Sequence, residues 1–470
     1  MTLDSNLNQF FLIINGFIVL FMQAGFAFLE AGSVRSKNTT NILIKNTLDL
    51  FCGATVYWLV GYSFAFGGDD DNIKGRGDAF IGHDNFALSD LDENDYATWF
   101  FQFVFAATAA TIVSGAIAER AEFMAYLIYS ALITGFVYPV VTHWAWSKHG
   151  WLKVSQEDDD ITYQDFAGSG VVHMVGGMLA LTGAIAVGPR IGRFEDDDKT
   201  LRGHTVPMVS LGGFILFFGF LAFNGGSQAS IAEDGDAATV ALAIVNTILS
   251  GAGGAIMAMV IKRIATGFFT GHWSLLTTIN GGLAGMKTLF LLVIQNYIKV
   301  AICAGCNTVH PWAGFVIGLV AGLVFMTWSY LIEKLKIDDP LDAVAVHYGA
   351  GFWGVIAVTL FSKKDGVFYD WDEMAFKRLG WNLLGAIAIS AWALFWGLAI
   401  FMSLKLLKIL RVSRDIEIKG LDVPKHGEPA YPYSSYGDGW GESPPTVNGN
   451  HNGHGLTNRG GSYDVTVTTH

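Results

Sequence analysis

Hydrophobic positions along this chain come in long unbroken blocks, not in the alternating or three-four spacing of half-buried strands and helices. Windows long enough for a bilayer give eleven such blocks, at roughly residues 10–32, 42–66, 98–118, 123–146, 167–188, 207–226, 238–261, 274–300, 312–333, 342–362 and 379–404, the eighth of them irregular. A helical crossing needs about 20 mainly apolar residues. The pattern therefore predicts an all-α polytopic membrane protein of eleven transmembrane helices. The polar positions between the blocks set its orientation. With the amino terminus outside, the inner connections hold twelve basic residues, from Arg35, Lys37 and Lys45 to Lys334 and Lys336, against eight in the outer ones. Lys405, Lys408, Arg411, Arg414 and Lys419 directly follow the last block and fix the carboxyl terminus inside.

Composition agrees and removes other classes. The 470 residues are 52% hydrophobic and only 15% charged, where soluble domains carry about 25% charged residues. Three cysteines exclude a disulfide framework, and 29 basic against 41 acidic residues exclude a nucleic-acid binder that works by bulk charge. Met1 to Gln9 carry Asp4 and no basic segment, and the apolar run that follows is too long for a signal peptide. Three regions are expected: a transmembrane domain at 1–404, an inner tail at 405–436, and a disordered Gly-, Asn- and His-rich segment at 437–470. Cys303-x-x-Cys306 has metal-pair spacing but no second ligand pair nearby, so no metal and no cofactor is expected. The sequon at Asn38 falls on an inner connection, where it is not glycosylated.

A faint internal repeat bears on function. Asp165 precedes His173 by eight residues at the start of the fifth block, and Asp339 precedes His347 by eight at the start of the tenth. Glycines follow both histidines closely: Gly176 and Gly177, then Gly349 and Gly351. Five blocks apart, these spans run in opposite directions, as in transporters built from two inverted halves. A two-fold axis in the membrane plane would bring the imidazoles together near the midplane. Ionisable groups there are functional candidates by default. Two histidines without a third ligand make a poor zinc site, but neutral imidazoles offer one donor and one acceptor each to a small polar solute. The plainer alternative is a histidine pair that only joins helices. For Asp165 the bland reading, an N-cap on free amides, is the favoured main role.

Several separate motifs, in order, resemble the ammonium transporter superfamily of Amt, Mep and Rh proteins. They are Phe101-Gln102-Phe103-Val104-Phe105, Gly115-Ala116-Ile117-Ala118-Glu119-Arg120, Asp165 through His173, Phe223-Asn224-Gly225-Gly226-Ser227, Asp338-Asp339-Pro340-Leu341-Asp342 running on to His347, and Gly420-Leu421-Asp422-Val423 with His426-Gly427-Glu428. The resemblance implies two inverted five-helix halves plus an eleventh helix, a homotrimer in the plasma membrane, and one conduction path per subunit. It implies ammonium or ammonia as the solute, with methylammonium as an analogue, and no enzymatic activity. Trp146, Phe105 and Ser227 would form the outer recruitment site, Phe105 and Phe223 the gate, and His173 and His347 the pore lining. Asp165 would act electrostatically on the vestibule, and Asp339 would be its counterpart from the inner side. Having both Trp146 and Ser227 looks like the Amt branch. The tail motif implies a regulatory segment, docking on a neighbouring subunit, whose removal after Leu404 alters transport more than surface expression.

Two features depart from the family's usual text. Thirteen extra residues, Lys287 to Lys299, interrupt the eighth block and place Lys287 inside it, consistent with a retained intron or a gene-model error. Phe220 stands where relatives often carry tryptophan. An ammonium sensor with little flux is the competing class, and growth rescue of a cell unable to import ammonium separates the two.

Overall fold

The computed structural model describes residues 2–68, 78–89, 91–153, 161–195, 201–265 and 299–436. Ten of its helices are long and apolar enough to cross a membrane. They are α1 (Leu3–Ser33), α2 (Ser36–Phe66), α3 (Glu93–Ala116), α4 (Phe123–Trp146), α5 (Ser169–Val187), α6 (Val206–Gly226), α7 (Asp236–Ala265), α9 (Pro311–Lys334), α10 (Val344–Phe361) and α11 (Glu373–Leu406). A short α8 (Lys299–Ile302) precedes α9, and α12 (Arg414–Lys419) lies in the tail. Most of the eighth apolar block and of the insert, residues 287–298, lies outside the described residues, as does the 437–470 segment. Among the described residues there is no strand, only isolated β-bridges between Ala121 and Arg411 and between Val309 and Ser362.

Local signals start the helices where they begin. Thr2 and Asp372 accept the amides of Ser5 and Ala375 at the heads of α1 and α11, and prolines occupy the first turns of α6 and α9. Burial sorts the layers: α5 and α3 are 89% and 83% buried within the protein over their apolar windows, whereas α11 is 33% buried. The large exposed side chains of the outer helices, Phe10, Phe17, Phe214 and Phe395 among them, belong on a lipid-facing surface.

Close glycine contacts set the packing. A Cβ on Gly212 would sit 2.3 Å from the Leu29 amide nitrogen, so α6 can lie against α1 only because that position is bare. Along this seam Gly226 meets Asn15, Gly219 meets Met22 and Gly32 meets Val209, so the two helices run antiparallel. The α5–α10 seam repeats the arrangement: Gly354 meets Ser169, Gly351 meets Met174, and Gly177 meets Tyr348. First-half helices thus face second-half partners in reverse, the pairing that inverted halves require.

The bundle has two chemically different ends. One, reached by the start of α1, carries loops tied together by Asn8, whose side chain accepts the amides of Ile231 and Ala232. The other carries the tail and an ion network. There the Arg190 fork donates to Asp338 at 2.8 and 3.0 Å and to Glu119 at 3.0 Å, and Arg35 donates to Glu119 as well. Burial alone would push the Glu119 carboxyl up, but Arg35 and Arg190 outweigh it and hold it down at about 2. The tail lies on the chain's own surface at this end: Asp422 accepts the Asn41 amide at 2.8 Å, and Lys425 reaches Glu122 at 2.8 Å. Asn38, the sequon residue, is buried there and accepts the Leu421 amide. Lys45, counted from sequence with the inner connection, instead lies within α2, 1% exposed, because its ammonium finds the Ala121 carbonyl at 3.1 Å.

Candidate functional site

A vestibule of about 480 Å³ opens at the end opposite the tail, lined among others by Phe101, Gln102, Phe105, Trp146, Asp165 and Ser227. Trp146 is the last residue of α4, and Ser227 caps α6. Two helix carboxyl ends, with their partial negative charge, therefore border the vestibule and favour a cation in it. The Ser227 hydroxyl donates to the Phe223 carbonyl at 2.7 Å. Its proton is thus committed, and the oxygen is left to accept an N–H from a solute. The Trp146 indole N–H donates to the Asp165 carbonyl at 2.8 Å, which fixes the indole at the mouth.

The floor of the vestibule is aromatic. Phe105 stands edge-on to Trp146 at 6.0 Å and stacks on Phe223 with centroids 4.1 Å apart. Beyond Phe223 comes His173, 5.6 Å away, and then His347. The two imidazoles are nearly parallel, 5.2 Å between centroids, with their Nδ1 atoms 3.1 Å apart. A bond between two Nδ1 atoms requires one ring to carry its proton there and the other to carry it on Nε2. The His173 Nε2 is buried with no protein partner, so it is free for a solute.

Both histidines sit in the same unusual backbone. Ser169–Met174 and Val344–Gly349 are six-residue π-helical turns that open α5 and α10, a distortion frequent at functional sites. The sequence repeat of Asp, eight residues and His is thus a repeat of backbone geometry, which inspection of motifs did not foresee. The carboxylates differ in detail. Asp165 accepts four backbone amides, of Gly168, Ser169, Gly170 and Val171, at 2.7–3.0 Å. Gly168 makes that turn possible with φ +94°, in the left-handed region. Asp339 accepts the Val344 amide at 2.8 Å. Asp165 thus satisfies the free amides at the head of α5 from three residues before Gly168, which occupies the N-cap position itself.

Two features singled out in the sequence have contacts that spacing alone does not give. Phe220 stacks on His173 at 5.8 Å, so it packs on one member of the buried histidine pair. Cys303 and Cys306 are buried free thiols, and the Cys303 thiol donates to the Lys299 carbonyl. Among the described residues no group of three or more His, Cys, Asp or Glu side chains could hold a metal ion.

Fold and site define a multi-pass membrane protein in which an aromatic vestibule adjoins a buried histidine pair. Comparison with known proteins gives its family: the Ammonium Transporter Family profile matches residues 10–431, and the chain belongs to that family. A Caenorhabditis elegans protein provisionally named ammonium transporter 1 is 49% identical over 454 residues, covering 93% of this chain and 80% of that one. Ammonium transporter 1 member 2 of Oryza sativa subsp. japonica is 41% identical over 431 residues, covering 86% and 82%. Among solved structures, the Sensor Amt Protein superposes with a TM-score of 0.76 at 34% identity, over 90% of this chain and 99% of that one.

Proposed function

We propose that this chain conducts ammonium across the plasma membrane along the vestibule, Phe105–Phe223 and His173–His347, in a homotrimer with one path per subunit. In this reading the chain has eleven crossings, with the vestibule and amino terminus outside and the tail inside. The observation that carries it is the succession of three unlike layers, each in contact with the next: a cation-favouring mouth, a stacked aromatic floor, and an imidazole pair with an unpartnered Nε2.

Each layer answers a separate physical problem. At the mouth, Trp146 and Phe105 offer ring faces worth about 0.5–2 kcal/mol to a desolvating cation, and the Ser227 oxygen accepts one of its N–H bonds. The stacked rings then leave no polar partner, so passing as a charge carries the full burial cost. Ammonium escapes that cost by giving up a proton, whereas an alkali cation cannot. Beyond the rings, the His173 and His347 pair binds ammonia by hydrogen bonds while staying neutral. The proton travels separately, so net transport carries charge. Asp165 holds the turn that presents His173 and adds negative charge behind the vestibule, and Asp339 does the corresponding work on the other side. Methylammonium is accepted as an analogue, and residues 405–436 regulate the path.

The test is ammonium-evoked current in a voltage-clamped cell expressing the chain with and without residues 287–299. Current that saturates with ammonium and falls when Ser227 is replaced supports the reading. Ammonia entry without current would replace it with neutral passage. A second reading is sensing with little flux, favoured by the likeness to the Sensor Amt Protein; it predicts no rescue of growth in a cell unable to import ammonium.

A further inference from the structure

Away from the path, between α1, α2, α3 and α4, lies a second buried polar assembly that conduction does not use. Glu30, Lys45, Asn46, Asp49, Ser114, Tyr126, Tyr129 and Ser130 are all 3% exposed or less. The Glu30 carboxylate accepts Asn46 Nδ2 at 3.0 Å on one oxygen and the Ser114 hydroxyl on the other. The Lys45 ammonium donates to the Ala121 carbonyl and sits 5.0 Å over the Tyr126 ring. Asp49, one turn along α2 from Lys45, is different. Its carboxylate meets no N–H group; only the Ser130 and Tyr126 hydroxyls face it, with Tyr129 beside Tyr126, and none of these contacts has strict hydrogen-bond geometry.

Charge counting makes this arrangement informative. Two carboxylates against one ammonium leave one negative charge in excess, in a pocket closed to water. A buried charge without a partner is neutralised instead of borne. Glu30 accepts an N–H from Asn46, a group that can only donate, which favours its ionised form, and it balances Lys45. Asp49 has no such obligate donor and faces only the Ser130 and Tyr126 hydroxyls, which can accept a hydrogen bond as well as donate one. We propose that this pocket is a proton-binding site off the conduction path, in which Asp49 carries one exchangeable proton and Glu30 and Lys45 form the balanced pair.

The other titratable groups around the pocket are Cys52 on α2, Tyr126 and Tyr129 on α4, Arg120 and Glu122 on the turn between α3 and α4, and His426 of the tail, which faces Lys45. α6, which packs on α1, contributes none. When the proton leaves, Lys45 is the cation nearest to the new charge, and its present bond holds Ala121. That residue also forms the β-bridge with Arg411 at the root of the tail, so occupancy of the pocket bears directly on the turn that receives the tail.

The test uses the purified full chain and readouts other than transport. Infrared difference spectra across pH should show a protonated-carboxyl band that Asp49→Asn removes and His173→Ala leaves in place. Thermal unfolding should be nearly unchanged in Asp49→Asn, lowered by several degrees in Lys45→Met, and largely restored in Lys45→Met with Glu30→Gln, because the charge balance returns. A band that survives Asp49→Asn overturns the proposal, as does a double variant no more stable than Lys45→Met alone. Stabilisation by sodium over choline at fixed pH, lost in Asp49→Asn, also overturns it, since the site would then take a metal cation.

Discussion

The Nδ1 atoms of His173 and His347 lie 3.1 Å apart, joining two imidazoles that are 174 residues apart in the chain. Because the bond uses Nδ1 on both rings, a proton at one Nδ1 fixes the tautomer of its neighbour. Replacing either ring leaves the other with an unsatisfied buried nitrogen, a loss of about 1–3 kcal/mol. His173→Ala and His347→Ala are each expected to lower ammonium uptake by about tenfold or more, and the double variant no further than the worse single one. Radiolabelled methylammonium uptake at matched surface expression checks this; strictly multiplicative losses would show that the rings act independently.

In the proposed path Trp146 meets the solute before the aromatic floor does. Trp146→Leu should remove a contact worth about 0.5–2 kcal/mol, raising the ammonium concentration for half-maximal current by about 2- to 30-fold with a smaller change in maximal current. Concentration series under voltage clamp would read both quantities. A fall in maximal current alone would move the tryptophan from recruitment to the conduction step.

Asp165 accepts four amides at once, so its first duty is to shape the turn before His173. Asp165→Ala orphans those amides, and a loss of folded protein of order several kcal/mol is expected, at about 1–3 kcal/mol per unsatisfied donor with partial relaxation. The measurement is surface abundance alongside current per molecule. Normal abundance with abolished current would make the charge, not the cap, its principal contribution.

The ion network at the tail end predicts a stability effect with a definite pH range. Arg190→Met breaks contacts to both Glu119 and Asp338, where leaving a buried charge unpaired costs about 3–5 kcal/mol; Arg35 on Glu119 and Arg193 on Asp338 reduce that loss. Because the Glu119 carboxyl is held down at about 2, its contribution is complete above the unfolded value of about 4.3 and fades only as pH falls through that range toward 2. Melting curves of wild type and variant at several pH values should therefore stay parallel at neutral pH and converge only in acid.

Tail docking carries two opposed titrations. Burial pushes the Asp422 carboxyl up to about 6 despite the amides it accepts, so the docked form binds more protons and docking weakens as pH rises through about 4 to 6. Burial, then Lys45, holds the His426 imidazole below its ordinary value, so the undocked form binds more protons and docking weakens as pH falls below about 6.5. The wild type should respond little to acid, Asp422→Asn should undock on acidification, and His426→Gln should dock more firmly. Hydrogen exchange of residues 414–436 reads this directly; identical pH responses in all three would remove these groups as its determinants.

Much of this was legible in the sequence because a bilayer imposes a one-dimensional rule: a span must be long and apolar wherever it packs. The ten described spans fall on the apolar blocks, and the Asp165–His173 and Asp339–His347 repeat marked the two helices that meet at the centre. Tertiary structure decided what depends on two segments meeting. The spacing located both histidines but neither the π-helical turns that carry them nor the bond from Nδ1 to Nδ1, which exists only where α5 and α10 pack together. The motif named Phe105 and Phe223, yet their 4.1 Å stack needs α3 and α6 to converge. Lys45 reads as an inner-loop charge until folding supplies the Ala121 carbonyl, and Glu30 and Asp49 acquire their shared pocket only when α1, α2, α3 and α4 close around them. Hydrophobicity is a property of each residue and is written in order along the chain. Pairing of polar groups belongs to atoms far apart in sequence, and only the packed helices determine it.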